Sequence, residues 1–345
     1  MPGVAYDYGL SALDHCAGLR LVRRAAPRTG GTPVVLSNPV YLADRPIKHA
    51  LVLGGSGFLG TPLVRRLSAA GVRTTCLVHR RPLAVDNVAV VRGNLDRFPW
   101  RVLEHDPPDV VFHLARIPGR RGIRGALTRL RNRVANERLV LALASWSRPP
   151  LVVFVGGTLA YGSHGEAVVT EETPLTPTSF SRDYHRAERP WLRAMRGSDV
   201  PVIVARPAWV LGRGSWFEAY YGRFIRSEGA VPLYGDGDNW MSLVHVDDCA
   251  GLLEHVARRA TPMSFVNVFA GPSLRQVELA ERLARLTALP IRRVPLDELE
   301  RRSGRAVVEA FTFSARIATV HDALHASYRV EHPDLDGSLT ALLRA

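Results

Sequence analysis

The sequence predicts an α/β fold, a doubly wound parallel sheet followed by a smaller C-terminal lobe. Its 345 residues, 46% of them hydrophobic, suit one large α/β domain with an added lobe. A chain of this length can bury a stable core without disulfides or structural metals. Apolar, strand-like runs alternate with helix-like segments along the chain. This alternation is typical of a parallel sheet with helices on both faces.

The first unit of this pattern is a strand, a glycine-rich turn and a helix. An apolar run at 50–53 precedes glycines at 54, 55, 57 and 60, and a helix-like segment follows at 61–67. Later strands are predicted at 75–79, 88–91, 110–114, 151–155 and 202–205, and a C-terminal helix at 276–286. Residues 1–47, with loop-forming prolines and glycines and a short helix predicted at 11–24, form an N-terminal extension.

Composition limits the kind of partner that the chain takes. The net charge is +13, yet Lys48 is the only lysine among the 45 basic residues, and the arginines are spread along the chain. Because no helix-turn-helix, finger or RNA-binding signature accompanies the charge, we expect no nucleic-acid partner. We also expect no membrane partner, since no apolar run is long enough to cross a bilayer. A monomer or a homodimer fits the sequence equally well.

Cysteine usage and the start of the chain favour a cytoplasmic protein. Residues 1–8 lack the basic head and apolar run of a secretory signal. Cys16, Cys76 and Cys249 are widely separated and have no zinc-binding spacing, so we expect reduced thiols and no metal. His113, His185 and His245 likewise form no metal-ligand spacing and are interpreted as structural or supporting residues.

The glycine turn has the pattern that holds a dinucleotide. A pyrophosphate binds where a strand ends in a tight glycine turn and a helix begins, because the glycines allow close backbone approach. The residues expected to contact the cofactor in this turn are Gly54, Ser56, Gly57, Phe58 and Leu59.

Further motifs follow the turn in a fixed order. They are His113-Leu114-Ala115, Tyr161-Gly162, Arg206-Pro207 and the segment 243–248, Leu-Val-His-Val-Asp-Asp. With the glycine turn, this set resembles the extended short-chain dehydrogenase/reductases, in their epimerase/dehydratase-like branch, across about residues 48–345. The resemblance implies an NADP(H)-binding Rossmann domain over 48–211 and a mainly substrate-binding lobe over 212–345, of which about 241–270 return to the Rossmann core. It also implies that these residues lie along the cofactor: Leu114, Ala115, Arg116, Val155, Pro207, Trp209 and Val210.

The end of the second strand indicates which dinucleotide is used. An acidic residue there meets a free ribose hydroxyl, whereas arginine suits a ribose phosphate. This chain has Arg80 and Arg81 at that point, and guanidinium groups match phosphate in charge and geometry, so NADPH is favoured over NADH. Asn94-Leu95 stands where the family usually has an acidic residue beside adenine, and an amide can still hydrogen-bond there.

The family's catalytic relay is broken. In the family, a Ser or Thr and a Tyr contact the substrate carbonyl. A Lys stands four residues after the Tyr, and an Asn anchors the path of the proton. In this chain the hydroxyl position holds Gly157, with Thr158 one residue later. The tyrosine position holds Phe180, the lysine position holds Tyr184, and Asn132 matches the Asn. The standard Tyr and Lys are therefore both absent from the predicted site.

A shift of one helical turn does not restore the relay. If Tyr184 were the catalytic tyrosine, Glu188 would stand at the lysine position, and a carboxylate there would raise the phenol pKa rather than lower it. Lys48 precedes the glycine turn and cannot serve in any register. The proton that completes a carbonyl reduction must then come from water, from Tyr184 or Thr158, or from a hydroxyl of the substrate.

Two functions from different classes fit this pattern. One is an NADPH-dependent ketoreductase acting on an aromatic polyketide-like ketone, and the other is a non-catalytic NADP(H)-binding sensor or partner-binding protein. A conventional sugar-nucleotide epimerase or dehydratase would also depend on the missing residues. Aromatic residues at mostly helical spacing form either a flat substrate wall or simply the core of the lobe: Trp216, Phe217, Tyr220, Tyr221 and Phe224.

Overall fold

A computed structural model describes residues 44–344 except for 97, 99 and 116–121. The predicted helix at 11–24, Cys16 and Arg116 therefore lie outside the described residues. In chain order the strands are β1 (His49–Leu53), β2 (Arg73–Val78), β3 (Val88–Arg92), β4 (Val110–His113), β5 (Leu151–Val155), β6 (Val168–Val169), β7 (Val202–Pro207), β8 (Trp209–Leu211), β9 (Val231–Tyr234), β10 (Trp240–Met241), β11 (Leu243–His245), β12 (Ser264–Val268), β13 (Leu274–Arg275), β14 (Ile291–Val294) and β15 (Arg316–Ile317).

The helices alternate with these strands. They are α1 (Gly60–Ala69), α2 (Gly122–Ala144), α3 (Ser179–Gly197), α4 (Arg223–Glu228), α5 (Val246–Arg259), α6 (Gln276–Thr287), α7 (Leu296–Ser303), α8 (Arg305–Phe311), α9 (Asp322–Ala326) and α10 (Leu335–Arg344). Short 3₁₀ turns occupy Trp100–Leu103 and Thr158–Tyr161, and a π-helical turn occupies Glu218–Gly222. Among the described residues, no helix combines the length and apolar character needed to cross a bilayer.

A seven-stranded parallel sheet forms the centre of the protein, as the sequence predicts. Its strand order is β12-β7-β5-β4-β1-β2-β3, and every neighbouring pair is parallel. The chain runs outward from β1 through β2 to β3, then crosses to β4 on the other side. This reversal between β1 and β4 opens a crevice at the carboxyl ends of the two strands, where ligands bind in folds of this kind.

Both faces of the sheet are covered, which is why its inner strands are continuously apolar. In β1, Ala50 and Val52 pack with α1 and α5, whereas Leu51 and Leu53 pack with α2 and α3. The predicted strands are confirmed to within two residues at their ends. The fourth strand stops at His113, one residue early, although the Leu114 N–H still donates to the Leu53 carbonyl over 3.0 Å.

The C-terminal half divides its elements between the sheet and a separate core. Strand β12 pairs with β7 at the edge of the sheet, and α5 packs on α1. The second core holds β9 paired with β14, together with α4, α6, α7, α8 and α10. The predicted helix at 276–286 is confirmed as α6 and extends one residue further. Cys76 and Cys249 are buried free thiols, and burial raises the pKa of Cys76 to about 12.

Candidate functional site

The glycine turn brings the start of α1 against the end of β1. Gly54 has a φ of +91°, and a Cβ added there would lie 3.0 Å from the backbone nitrogen of Ala115. A Cβ added at Gly60 would lie 2.1 Å from the Gly54 carbonyl oxygen. Only glycine allows this approach, and it leaves the first amides of α1 at the carboxyl edge of β1, where they suit a phosphate.

The remaining residues predicted in the turn lie at the same edge. Ser56, Gly57, Phe58 and Leu59 are half-buried, and the Gly57 N–H donates to the Gly54 carbonyl over 2.9 Å. Leu114 and Ala115 follow the neighbouring strand β4 and are half-buried as well. The structure thus joins two predicted segments, 54–59 and 114–115, across the crevice. The backbone cradle formed by 54–60 and 114–115 fits a dinucleotide pyrophosphate, because side chains at Gly54 and Gly60 would prevent this close packing.

The residues predicted to meet the adenosine half lie along the next strands. Arg80 and Arg81 follow β2 and are exposed, and neither has an ion-pair partner among the residues that the structure describes. Asn94 is half-buried in the loop after β3. Leu95 packs into the core beside Leu77, so only its backbone is available to a ligand.

The carboxyl end of β5 is the next part of the crevice. Val155 ends the strand with its side chain in the core, and the Gly156 N–H donates to the Ala205 carbonyl over 2.8 Å. Thr158 is 2% exposed, and its hydroxyl donates to the Pro207 carbonyl over 3.3 Å. The Thr158 hydroxyl, one of the predicted proton donors, is therefore engaged inside the protein.

The other relay positions lie on two packed helices. Phe180 and Tyr184 belong to α3, two turns and one turn before Glu188, and their side chains lie outside the described part of the structure. Asn132 is half-buried on α2, and its backbone carbonyl accepts from the Asn136 amide over 2.8 Å. Asn132 thus helps to fix Asn136 rather than standing alone in a cavity.

A buried polar network lies beneath this region. Arg206 and Glu188 form an ion pair of 2.6 Å, and each side chain is 2% exposed. Arg206 also donates to the Tyr161 hydroxyl over 3.1 Å, and that hydroxyl donates to Asn267 over 2.8 Å. The network joins α3, β7, β12 and the turn after β5, so it fixes the helix that carries the relay positions.

The electrostatics of the network keep both partners charged. Burial would raise the pKa of Glu188, but the neighbouring His185 and the charge and hydrogen bond of Arg206 hold it below its ordinary value. Burial would likewise lower the pKa of Arg206, yet Glu188 and Tyr161 raise it. Burial raises the pKa of the Tyr161 phenol, which favours the neutral form. The sequence contained a signal for this network, since a charged Arg206 inside the apolar run of β7 needs a buried partner.

Pro207, Trp209 and Val210 continue from β7 into β8, and their side chains are buried. Val210 packs against the sheet, whereas Trp209 turns into the second core, with its ring centroid 4.4 Å from that of Trp216. A cofactor lying beside these residues, as predicted, would therefore meet mainly their backbone atoms.

The aromatic residues after Gly212 form the centre of the second core. Phe217 is 1% exposed and Tyr221 is fully buried, while Trp216 and Tyr220 are half-buried. Phe311 of α8 packs against several of these rings. Of the two interpretations left open by the sequence, core packing describes Phe217 and Tyr221, and only the half-buried members retain an open face.

Three side chains lie together near the start of α5, and only His245 among them was considered in the sequence analysis. His245, Asp247 and His332 have ligand-type atoms within 4.8 Å of one another. The two imidazole rings are tilted by 34° with centroids 3.7 Å apart, and His245 Nδ1 accepts from the Asp247 N–H. The His245 side chain thus caps the start of α5, with Asp247 and His332 beside it. His332 is 87 residues from His245, too far for spacing to reveal.

Comparison with known proteins agrees with the geometry. The model of the NAD dependent epimerase/dehydratase family matches residues 50–268. A dTDP-glucose 4,6-dehydratase of Streptomyces griseus is 29% identical over 249 residues, which are 67% of this chain and 76% of that protein. Epimerase family protein SDR39U1 of Bos taurus is 26% identical over 316 residues, covering 86% of this chain and 99% of the relative.

Solved structures share the fold. Human epimerase family protein SDR39U1 (isoform 2), solved with NADPH, has a TM-score of 0.68 at 21% identity and covers 86% of this chain and 99% of its own. A dTDP-glucose 4,6-dehydratase from Bacillus anthracis, solved with NAD, also has a TM-score of 0.68, at 21% identity and with coverage of 86% and 95%. The chain belongs to the NAD-dependent epimerase/dehydratase family of NAD(P)-dependent oxidoreductases, and its cofactor is a nicotinamide dinucleotide.

Proposed function

We propose that this protein is an NADPH-dependent ketoreductase that reduces a carbonyl of an aromatic polyketide, of the angucyclinone type, in the biosynthesis of a secondary metabolite such as an antibiotic. The cofactor supplies hydride. The observation that carries the proposal is a nucleotide-binding edge without a lysine. Lys48, the only lysine of the chain, is exposed just before β1 and thus at the amino edge of the sheet. The crevice lies at the opposite edge, about 16 Å away for a five-residue strand.

A site without lysine suits a reduction better than epimerisation or dehydration. Both of the latter depend on a positioned acid–base group, which is typically worth about 10² to 10⁴ in rate. A ketone with a neighbouring phenolic hydroxyl carries an acidic proton beside the carbonyl and can pass it to the alkoxide formed by hydride addition. We propose that this hydroxyl, or a water, completes the reduction, with Tyr184 as the side-chain alternative. Thr158 is a weaker candidate because its hydroxyl already donates to Pro207.

The lobe supports an aromatic ligand that carries oxygen atoms. Trp216 and Tyr220 keep partly open faces beside the buried rings. The indole N–H groups of Trp209 and Trp216 are buried without an acceptor among the described residues. A buried donor without a partner costs about 1–3 kcal/mol, and the carbonyl and phenol oxygens of a polycyclic ketone would supply acceptors.

Two further features support the assignment. Arg80 and Arg81 are exposed at the end of β2, where a ribose phosphate is held in related folds, so NADPH is the proposed reductant. In addition, the nearly lysine-free and arginine-rich composition, the missing relay and the aromatic lobe together resemble the angucyclinone ketoreductase of simocyclinone biosynthesis. That resemblance is the basis for the substrate class.

A comparison of two substrates tests the proposal. Purified protein is incubated with NADPH and a phenolic polycyclic ketone, or with the oxidised cofactor (NAD⁺ or NADP⁺) and dTDP-glucose, and nicotinamide absorbance and product mass are followed together. We expect the ketone to gain two hydrogens with one NADPH oxidised per product. Loss of one water from dTDP-glucose, with the ketone untouched, would instead assign a dehydratase. Tight NADPH binding without either reaction would favour the sensor.

A further inference from the structure

His185 lies beside the buried carboxylate of the Arg206–Glu188 pair. Its Nδ1 is 3.7 Å from Glu188 Oε2, one helical turn away on α3, and the His185 side chain is 15% exposed. This Nδ1 is buried and has no hydrogen-bond partner among the described residues. The imidazole therefore lies between a fully buried negative charge and a partly open surface.

The pair lies near the carboxyl end of β5, the same edge of the sheet as the glycine turn. A Cβ added at Gly156 would be 3.8 Å from Glu188 Oε2. A Cβ added at Gly157 would meet, among the described residues, only the Pro207 carbonyl oxygen, at 4.0 Å. Helix α3 also packs on the 3₁₀ turn that follows these glycines. Gly156 therefore lies in contact with the network, and Gly157 is the more open of the two positions at this edge.

The carboxylate determines which tautomer of His185 is favoured. A bare Nδ1 lone pair facing Glu188 would be repelled, so the tautomer with the proton on Nδ1 is favoured and Nε2 is the nitrogen left for another partner. Arg206 keeps Glu188 ionised, so the carboxylate stays an acceptor for Nδ1–H. A histidine held in this way by a carboxylate is a general acid–base arrangement.

We propose that His185, held by Glu188, is the proton-supplying residue of the reduction, in place of the missing tyrosine and lysine. The inference rests on the proposed ketoreductase function and adds the source of the proton. His185 acts through the substrate hydroxyl or the water beside the carbonyl. Glu188 and Arg206 are positioning residues for it.

The proton balance of the step is complete. Hydride from the reduced nicotinamide bonds to the carbonyl carbon, the C–O π pair moves to oxygen, and the neighbouring hydroxyl gives its proton to that oxygen. Protonated His185 then returns a proton from Nε2 to the phenolate or hydroxide left behind and becomes neutral. Solvent restores the lost proton, and the ketone is reduced as the nicotinamide is oxidised.

The variant that tests this is His185→Gln, which keeps a polar side chain of similar reach but cannot carry a proton. We expect turnover of a phenolic polycyclic ketone to fall about 10²-fold, with the Kd for NADPH unchanged. Arg189→Gln is the matched control, because Arg189 is exposed on the same helix. It should leave turnover at the level of the unaltered protein.

A binding measurement without turnover separates proton supply from a structural role. A nitro-substituted polycyclic phenol, ionised at the assay pH, mimics the phenolate, and its un-ionised parent phenol is the reference. By tryptophan fluorescence we expect His185→Gln to bind the ionised ligand about tenfold more weakly, and the parent equally well. Added imidazole should restore part of the turnover of His185→Gly, whose cavity admits it.

The outcomes distinguish the two levels of inference. If the unaltered protein reduces the ketone and His185→Gln matches it in turnover and in phenolate affinity, the role of His185 is overturned while the proposed function stands. If His185→Gln does not fold, failure of imidazole to restore turnover in His185→Gly overturns that role. If the unaltered protein reduces no phenolic ketone, the proposed function fails and the role of His185 fails with it.

Discussion

Replacing Glu188 with glutamine should remove a large part of the stability of this fold. The side chain keeps its shape, but Arg206 loses the charge that lies 2.6 Å away in a site where both partners are 2% exposed. At an effective dielectric constant of about 20, unit charges about 4 Å apart attract by about 4 kcal/mol. Breaking a buried pair by removing one partner costs about 3–5 kcal/mol. We therefore expect the unfolding free energy in urea to fall by about 3 kcal/mol or more.

Acidification gives the same variant a second signature. The folded pKa of Glu188 lies below its unfolded value, so its contribution is complete above the unfolded pKa of about 4.3 and is lost as pH falls through the folded pKa. The unaltered protein should lose stability in that acidic range through a component that Glu188→Gln lacks. Parallel pH profiles for the two proteins would contradict the assigned charge state.

Two controls fix the meaning of the result. Asp297→Asn removes a partner from the exposed pair with Arg301, and we expect no measurable change in stability. The double variant Glu188→Leu, Arg206→Met replaces both buried charges by apolar groups and should recover most of the loss. A change below about 0.5 kcal/mol for Glu188→Gln would refute the view that this pair holds α3 against the sheet.

The remaining predictions concern the cofactor and the proton. Replacing both Arg80 and Arg81 with alanine should weaken NADPH binding about 10²-fold and NADH binding hardly at all, and equal losses in a fluorescence titration would remove the basis for the preference. Tyr184→Phe should leave turnover within about threefold, because the proton comes from elsewhere, whereas a loss near 10²-fold would make Tyr184 the donor. Gly60→Ala should abolish NADPH binding, because its Cβ would lie 2.1 Å from a carbonyl oxygen of the turn. Gly197→Ala, whose Cβ would meet no atom within 4 Å, should leave binding intact. Binding retained in Gly60→Ala would contradict the close approach of α1 to the turn.

The sheet could be predicted from the sequence because its signals are local. In β1, consecutive apolar residues face opposite helical layers, which produces the unbroken run at 50–53 that marks a doubly covered strand. The glycine turn was equally clear, since Gly60 is required by its contact with the Gly54 carbonyl oxygen within the same turn. Gly54 is required by its positive φ and also by the approach of Ala115, which is distant in sequence. Patterns confined to one turn or strand are the ones that a single sequence carries best.

The site was harder to predict because its contacts are distant in sequence. Arg206 was recognisable as part of a family motif, but nothing in its spacing from Glu188 said that the two form a buried pair or that His185 lies beside them. The aromatic stripe shows a second limit. Helical spacing is the same for Tyr221, which is fully buried, and for Trp216, which is half-buried, so periodicity alone could not separate core from ligand wall.

The most direct test of the central claim is the fate of a labelled hydride. Purified protein is incubated with NADPH carrying deuterium at the transferable position of the nicotinamide and with a phenolic polycyclic ketone, and the product is examined by mass spectrometry and NMR. The account predicts one deuterium on the former carbonyl carbon for each NADPH oxidised. Tight NADPH binding with no deuterium transferred to any of several such ketones would contradict it and favour a nucleotide-binding sensor.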